Sequence, residues 1–115
     1  MSTIKIYHNP RCSKSRKTLE IIQQHGHEPE IVKYLESPPS EEEIGVVLSK
    51  LGLEPRELMR KNETEYKQFF TDDTLSNQAL ISLMHKYPKV IERPIVFSNN
   101  KVAIGRPPES VLDIL

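Results

Sequence analysis

The chain of 115 residues contains 37% hydrophobic residues, which suits one compact core, and we expect a single domain over residues 1–115. Its 16 basic and 16 acidic residues cancel, so the composition argues against a nucleic-acid partner and against binding to an anionic membrane surface. The sequence shows neither an apolar run long enough for a membrane span nor a signal-peptide pattern, so we expect a cytoplasmic protein without membrane association.

The first predicted elements lead to the only cysteine of the chain. Apolar and polar residues alternate over Ile4 to Tyr7, which is typical of a strand. A turn at Pro10 follows, and Ser13 to His25 is predicted as a helix that ends at Gly26. Cys12 is therefore expected at the first turn of this helix.

The next strand is predicted from Ile31, Val32, Tyr34 and Leu35. It completes a β-α-β unit, in which the two strands run parallel and the crossover is right-handed. The middle of the chain is then predicted as a block of helices, opened by a capping box: Ser40 to Leu51, Pro55 to Met59, Glu65 to Phe70 and Asn77 to Tyr87.

The C-terminal part is predicted as a β-hairpin and a last helix. The strands are Ile95 to Phe97 and Val102 to Ile104, and the turn between them contains Asn99 and Asn100, since asparagine tolerates positive φ. Pro108 opens the helix. This order of elements indicates an α/β, thioredoxin-like fold, with a mixed four-stranded sheet and an inserted helical block.

The thiol of Cys12 is the first candidate for chemistry. A helix N-terminus favours an anion, and the nearby cations Arg11, Lys14 and Arg16 add to that effect, so we expect a lowered thiol pKa. A lone cysteine is more often a small buried hydrophobic residue, but a polar, cationic loop is a poor place for one. Ser15 stands where a Cys-x-x-Cys motif has its second thiol, so an oxidised Cys12 needs an external thiol for its reduction.

Two neighbours of the cysteine leave alternatives open. The hydroxyl of Ser15 is either a donor to the thiolate or to a bound oxyanion, or an ordinary residue of the first helical turn. His8 stands four residues before Cys12 and either favours the thiolate electrostatically or is a plain loop histidine. The histidines and the single cysteine lack the spacing of a zinc site, so no metal is expected.

Three arginines are candidates for binding an oxyanion. Arg60 ends a predicted helix, whereas Arg93 and Arg106 each precede a proline and are therefore expected on ordered loops that flank the hairpin. The guanidinium group offers a planar fork of donors that suits tetrahedral oxyanions. Each arginine taken alone is more often a solvated surface residue, so an oxyanion clamp requires that the fold bring them to Cys12.

Four separated motifs resemble the glutaredoxin-dependent arsenate reductase family: Ile6 to Cys12, Tyr34 to Pro39, Leu58 to Lys61, and Glu92 to Val96 together with Gly105 to Pro107. The resemblance covers nearly the whole chain and implies the thioredoxin-like fold. It also implies that Cys12 is the nucleophile with His8 and Ser15 near it. By the same resemblance Pro94 matches a cis-proline beside the thiol, and the oxyanion-binding residues are Arg60, Arg93 and Arg106.

The resemblance further implies an oxidoreductase of arsenic detoxification. Cys12 displaces an oxygen of arsenate, glutathione attacks the adduct with reduction to arsenite, and glutaredoxin clears the mixed disulfide on Cys12. No bound cofactor is expected, and glutathione is a co-substrate. Two alternatives stay open: a monothiol redox protein that forms glutathione mixed disulfides without arsenate turnover, and a non-catalytic regulator that binds RNA polymerase.

Overall fold

The computed structural model describes residues 4–115, which fall into two compact units. The unit that we call the sheet unit combines the chain up to Ser37 with Arg93–Leu115, and the helical unit is Pro38–Glu92. The single domain expected from the composition stays a prediction. None of the helices within residues 4–115 has the length and hydropathy that a membrane span requires.

The sheet unit contains a four-stranded sheet in the order β2-β1-β3-β4. Its strands are β1 (Ile4–Tyr7), β2 (Glu30–Val32), β3 (Ile95–Ser98) and β4 (Lys101–Ile104). β1 runs parallel to β2 and antiparallel to β3, and β3 runs antiparallel to β4. The predicted mixed sheet is thus confirmed.

Helix α1 (Ser13–Gln24) connects β1 to β2. The alternation in β1 places Ile4 and Ile6 on one side of the sheet, where both are buried against the apolar side of α1. The core cluster on this side consists of six buried residues: Ile4, Ile6, Ile21, Ile22, Val96 and Val111. This packing holds the N-terminal end of α1 at the carboxyl end of β1.

The prediction that the second strand reaches Leu35 is wrong. β2 ends at Val32, and the N–H groups of Glu36 and Ser37 both donate to the carbonyl of Lys33, at 2.9 Å each, which closes a turn. Tyr34 is buried within this turn, and the centroid of its ring lies 6.4 Å from the centroid of the Tyr7 ring. Its apolar character therefore reflects burial of an aromatic ring rather than pairing in a strand.

The hairpin between β3 and β4 has the predicted turn. Asn99 and Asn100 have φ of 53° and 67°, the left-handed values that a two-residue type I′ turn requires at both positions. After β4 the chain enters the predicted last helix, which is a 3₁₀ helix over Pro108–Asp113 and buries Val111.

The helical unit contains three α-helices: α2 (Glu41–Leu51), α3 (Thr64–Phe69) and α4 (Asn77–Lys86), with 3₁₀ turns at Pro55–Leu58 and Pro88–Val90. The predicted capping box is present, because Ser40 Oγ accepts from Glu43 N–H at 3.1 Å and Glu43 Oε1 accepts from Ser40 N–H at 3.4 Å. Gly52 ends α2 in a left-handed conformation with φ of 68°.

Candidate active site

A short turn delivers Cys12 to the N-terminus of α1. Asn9 Oδ1 accepts from Arg11 N–H at 3.0 Å, and Asn9 carbonyl oxygen accepts from Cys12 N–H at 3.0 Å. Cys12 has extended backbone angles and is the N-cap residue, whose carbonyl begins the helix by accepting from Arg16 N–H at 3.0 Å. The half-buried thiol therefore lies against the free N–H groups of the first turn.

The pKa of the Cys12 thiol is lowered overall. Partial burial raises this pKa, but the Ser15 N–H, the hydrogen bond and charge of Arg93, and the Lys14 N–H together outweigh the burial. The predicted effect of the helix N-terminus is confirmed, since the Ser15 and Lys14 contributions come from main-chain donors.

The cation that stabilises the thiolate differs from the sequence prediction. Arg93 supplies the charge, and Lys14 acts through its backbone N–H. The guanidinium of Arg16 instead donates from Nη1 to the Pro10 carbonyl at 2.8 Å and so holds the turn before Cys12. Sequence proximity pointed to the neighbours of Cys12, whereas the side chain that reaches the sulfur comes from the loop before β3.

Arg93 and Arg106 flank the hairpin as predicted, Arg93 before β3 and Arg106 after β4. Both are half-buried, and Arg106 Nε donates to the carbonyl oxygen of Arg93 at 2.8 Å. The structure therefore brings Cys12, Arg93 and Arg106 into one connected group within the sheet unit. The Arg93–Pro94 peptide bond is cis, as the resemblance implies, and the Arg106–Pro107 bond is cis as well.

His8 and Ser15 form a buried pair beside the turn. His8 Nδ1 lies 2.7 Å from Ser15 Oγ, which also accepts from Asn9 N–H at 3.0 Å. Burial lowers the pKa of His8, and the charges of Lys33 and Arg16 lower this pKa further. The imidazole is thus neutral near pH 7, and a hydrogen bond joins its Nδ1 to the Ser15 hydroxyl.

This pair changes the roles that the sequence suggested. The hydroxyl of Ser15 bonds to His8 rather than to the thiol, and Ser15 reaches Cys12 through its main-chain N–H. His8 carries no charge near pH 7 with which to favour the thiolate, so its contribution lies in fixing Ser15 and the chain around Asn9.

Arg60 lies in the helical unit, after the 3₁₀ turn Pro55–Leu58. Its backbone is fixed by a β-bridge between Met59 and Ile91, and Arg60 N–H donates to Val90 carbonyl oxygen at 2.6 Å. Arg60 Nε lies 3.9 Å from Glu63 Oε1. The buried Nη1 of Arg60 has no hydrogen-bond partner among residues 4–115. The convergence of Arg60 with Cys12 stays a prediction. Sequence analysis missed the bridge because a two-residue pairing leaves no periodic pattern.

Metal-binding clusters are absent from the part of the chain that the structure describes. No group of three or more histidine, cysteine, aspartate or glutamate side chains within residues 4–115 has an arrangement that could hold an ion.

Comparison with known proteins places these features in a family. The model of the ArsC family matches residues 7–114. An arsenate reductase of Neisseria meningitidis is 44% identical over 117 residues, covering 100% of both chains. An arsenate reductase of Escherichia coli is 45% identical over 116 residues, covering 100% of this chain and 82% of the relative.

A solved structure agrees with these sequence matches. An arsenate reductase from Vibrio cholerae superposes with a TM-score of 0.94 at 49% sequence identity, covering 98% of both chains. The fold is therefore thioredoxin-like, as the order of predicted elements indicates. Because the family model matches residues 7–114 and relatives at 44% and 45% identity align with the whole of this chain, the chain belongs to the ArsC family.

Proposed function

We propose that the protein reduces arsenate to arsenite and that the Cys12 thiolate is the nucleophile. One observation carries the proposal: the pKa of the only thiol is lowered at a helix N-terminus, with the Arg93 side chain hydrogen-bonded to it. Low pKa and partial exposure are the properties of a reactive cysteine. Membership of the ArsC family and the arsenate reductases among the relatives support arsenate as the substrate.

The arrangement suits an anionic substrate. A thiolate and an arsenate ion repel each other, and this repulsion has to be offset by fixed positive groups. Arg93 lies at the thiol, Arg106 is bonded to the carbonyl of Arg93, and the first-turn N–H groups of α1 point to the same place. Arg60 is proposed as a further oxyanion-binding residue, because its motif Leu58 to Lys61 resembles that of the arsenate reductase family.

The proposed steps are balanced in atoms and electrons. Cys12 Sγ attacks arsenic(V), an S–As bond forms, and one arsenate oxygen leaves as water after protonation. The thiolate of glutathione then attacks Cys12 Sγ, and the electron pair of the S–As bond passes to arsenic, which leaves as arsenite. The products of this step are arsenic(III) and a mixed disulfide between Cys12 and glutathione.

The chain needs an external reductant to complete the cycle. It has one cysteine, so no second thiol of its own can resolve the mixed disulfide. We propose that a glutaredoxin thiolate attacks the glutathione sulfur and releases Cys12 as the thiolate, while the glutaredoxin is reduced by a second glutathione. The overall reaction consumes one arsenate and two glutathione molecules and requires no bound cofactor.

The test is arsenate-dependent NADPH oxidation, coupled through glutathione reductase, glutathione and glutaredoxin. We expect turnover by the wild type and none by Cys12→Ser, which keeps the size of the side chain and removes the thiolate. Circular dichroism of both proteins controls for folding. A folded wild type without arsenate-dependent oxidation contradicts the proposal. In that case, mass spectrometry for a glutathione adduct on Cys12 and a pull-down with RNA polymerase distinguish the monothiol redox protein from the regulator.

A further inference from the structure

One glycine in the sheet unit is packed too tightly for any side chain. A Cβ on Gly105 would lie 2.5 Å from Thr18 Oγ1, 2.7 Å from Pro94 Cγ and 3.1 Å from Thr18 Cγ2, all below the 3.4–4 Å of ordinary contact. The backbone φ of Gly105 is not in the left-handed region, so space rather than conformation requires glycine here.

The atoms around Gly105 are held in place. Thr18 is fully buried, and its hydroxyl donates to the Lys14 carbonyl at 2.7 Å, which fixes the side-chain rotamer against α1. On the other side, Gly105 N–H donates to the Pro94 carbonyl at 2.9 Å. The contact therefore joins α1 to the two loops that flank the hairpin.

Helix α1 and the loops that flank the hairpin each carry one partner of the interaction between the Cys12 thiolate and Arg93. α1 begins at Cys12, and Thr18 lies on its second turn. Pro94 follows Arg93, whose side chain is hydrogen-bonded to Cys12, and Gly105 precedes Arg106, whose Nε donates to the Arg93 carbonyl. A path of contacts thus runs from the thiol through α1, Thr18 and Gly105 to Arg93 and back to the thiol.

We propose that Gly105 and Thr18 are positioning residues, whose close contact sets the separation between the Cys12 thiolate and the Arg93 guanidinium. A side chain at position 105 moves the hairpin loops away from α1, because restoring ordinary contact with Thr18 Oγ1 from 2.5 Å to 3.4 Å requires a shift of almost an ångström. A shift of this size lengthens the hydrogen bond of Arg93 to the sulfur and weakens the attraction between the two charges. The proposal deepens the proposed function and rests on it for the role of Cys12 as nucleophile.

The thiol itself reports on this spacing. Because the chain has one cysteine, the pH dependence of its alkylation by iodoacetamide gives the pKa of Cys12 without arsenate or a coupling enzyme. We expect Gly105→Ala to raise this pKa and, at pH values below it, to lower the alkylation rate by about threefold or more, since one pKa unit corresponds to about tenfold in thiolate there. Gly45→Ala is the matched control, because nothing lies within 4 Å of a Cβ at that position, and its rate should equal that of the wild type.

A second variant localises the effect. Thr18→Ala removes two of the three atoms that the new Cβ meets and leaves Pro94 Cγ at 2.7 Å, so the double variant Gly105→Ala with Thr18→Ala should recover part of the alkylation rate. If Gly105→Ala fails to fold, the double variant should recover folded protein, with an alkylation rate below that of the wild type. A folded Gly105→Ala with the alkylation profile of the wild type, or a double variant no closer to the wild type than Gly105→Ala in both fold and rate, overturns the proposal. Neither outcome depends on arsenate turnover, so a failure of the proposed function is recognised separately.

Discussion

Replacing Arg93 by alanine tests whether this side chain serves the thiol or the fold. The substitution removes the guanidinium that hydrogen-bonds to Cys12 and leaves the carbonyl of residue 93, which accepts from Arg106 Nε at 2.8 Å. The contact between the two hairpin-flanking loops therefore survives. What is lost is a charge and a donor at the site where arsenate is proposed to react.

The expected loss of stability and the expected loss of catalytic rate differ in size. For a half-exposed charged pair the contribution to the free energy of unfolding is about 0–1 kcal/mol, because solvent screens the interaction. Loss of one preorganised donor to a developing oxyanion costs about 2.7–4 kcal/mol, or about 10²–10³ in kcat. We therefore expect Arg93→Ala to lose about two orders of magnitude in arsenate turnover, to raise the pKa of Cys12, and to lose less than about 1 kcal/mol in stability.

The assays are urea unfolding, iodoacetamide alkylation and coupled NADPH oxidation on the same protein preparations. Arg56→Ala is the matched control, because Arg56 donates to Tyr66 Oη, to the Phe70 carbonyl and to the Asp72 carbonyl within the helical unit. This variant should lose stability while the alkylation rate of its folded form stays that of the wild type. If Arg93→Ala loses as much stability as Arg56→Ala while its thiol pKa is unchanged, Arg93 is a structural residue and the reasoning is wrong.

Two further predictions concern stability. The pKa of His8 is lowered from 6.5 in the folded state, so the unfolded chain binds more protons, and the free energy of unfolding should fall as the pH drops from 6.5 through the lowered pKa. Urea unfolding across this range should show the slope in the wild type and a smaller one in His8→Asn; equal slopes would contradict the assignment. Ser40→Ala removes the hydroxyl that accepts from Glu43 N–H, while the Ser40 N–H still donates to Glu43 Oε1, and should cost about 1 kcal/mol in urea unfolding. Ser76→Ala removes the same kind of acceptor, that of Ala79 N–H at the start of α4, and should cost about as much; an unchanged stability in both variants would argue against side-chain capping.

Features with a local origin could be predicted from the sequence. The strand alternation at Ile4–Tyr7, the capping box at Ser40 and the positive φ of Asn99 and Asn100 depend on residues within a few positions of each other. The placement of Cys12 at the N-terminus of α1 follows from the turn before it and belongs to the same class. The order of these elements was sufficient to indicate the mixed sheet.

Features that depend on distant parts of the chain were decided by tertiary structure. The sequence neighbours of Cys12 suggested its cationic partners, but the guanidinium at the sulfur belongs to Arg93, because β3 pairs with β1 and brings the preceding loop to the start of α1. The bond between His8 and Ser15 and the narrow space at Gly105 have the same origin. The sequence alone identified the single thiol and predicted that a helix N-terminus favours its thiolate. Only the folded chain determined which charge completes that environment, because the distance between residues remote in sequence is set by packing and not by local conformational preference.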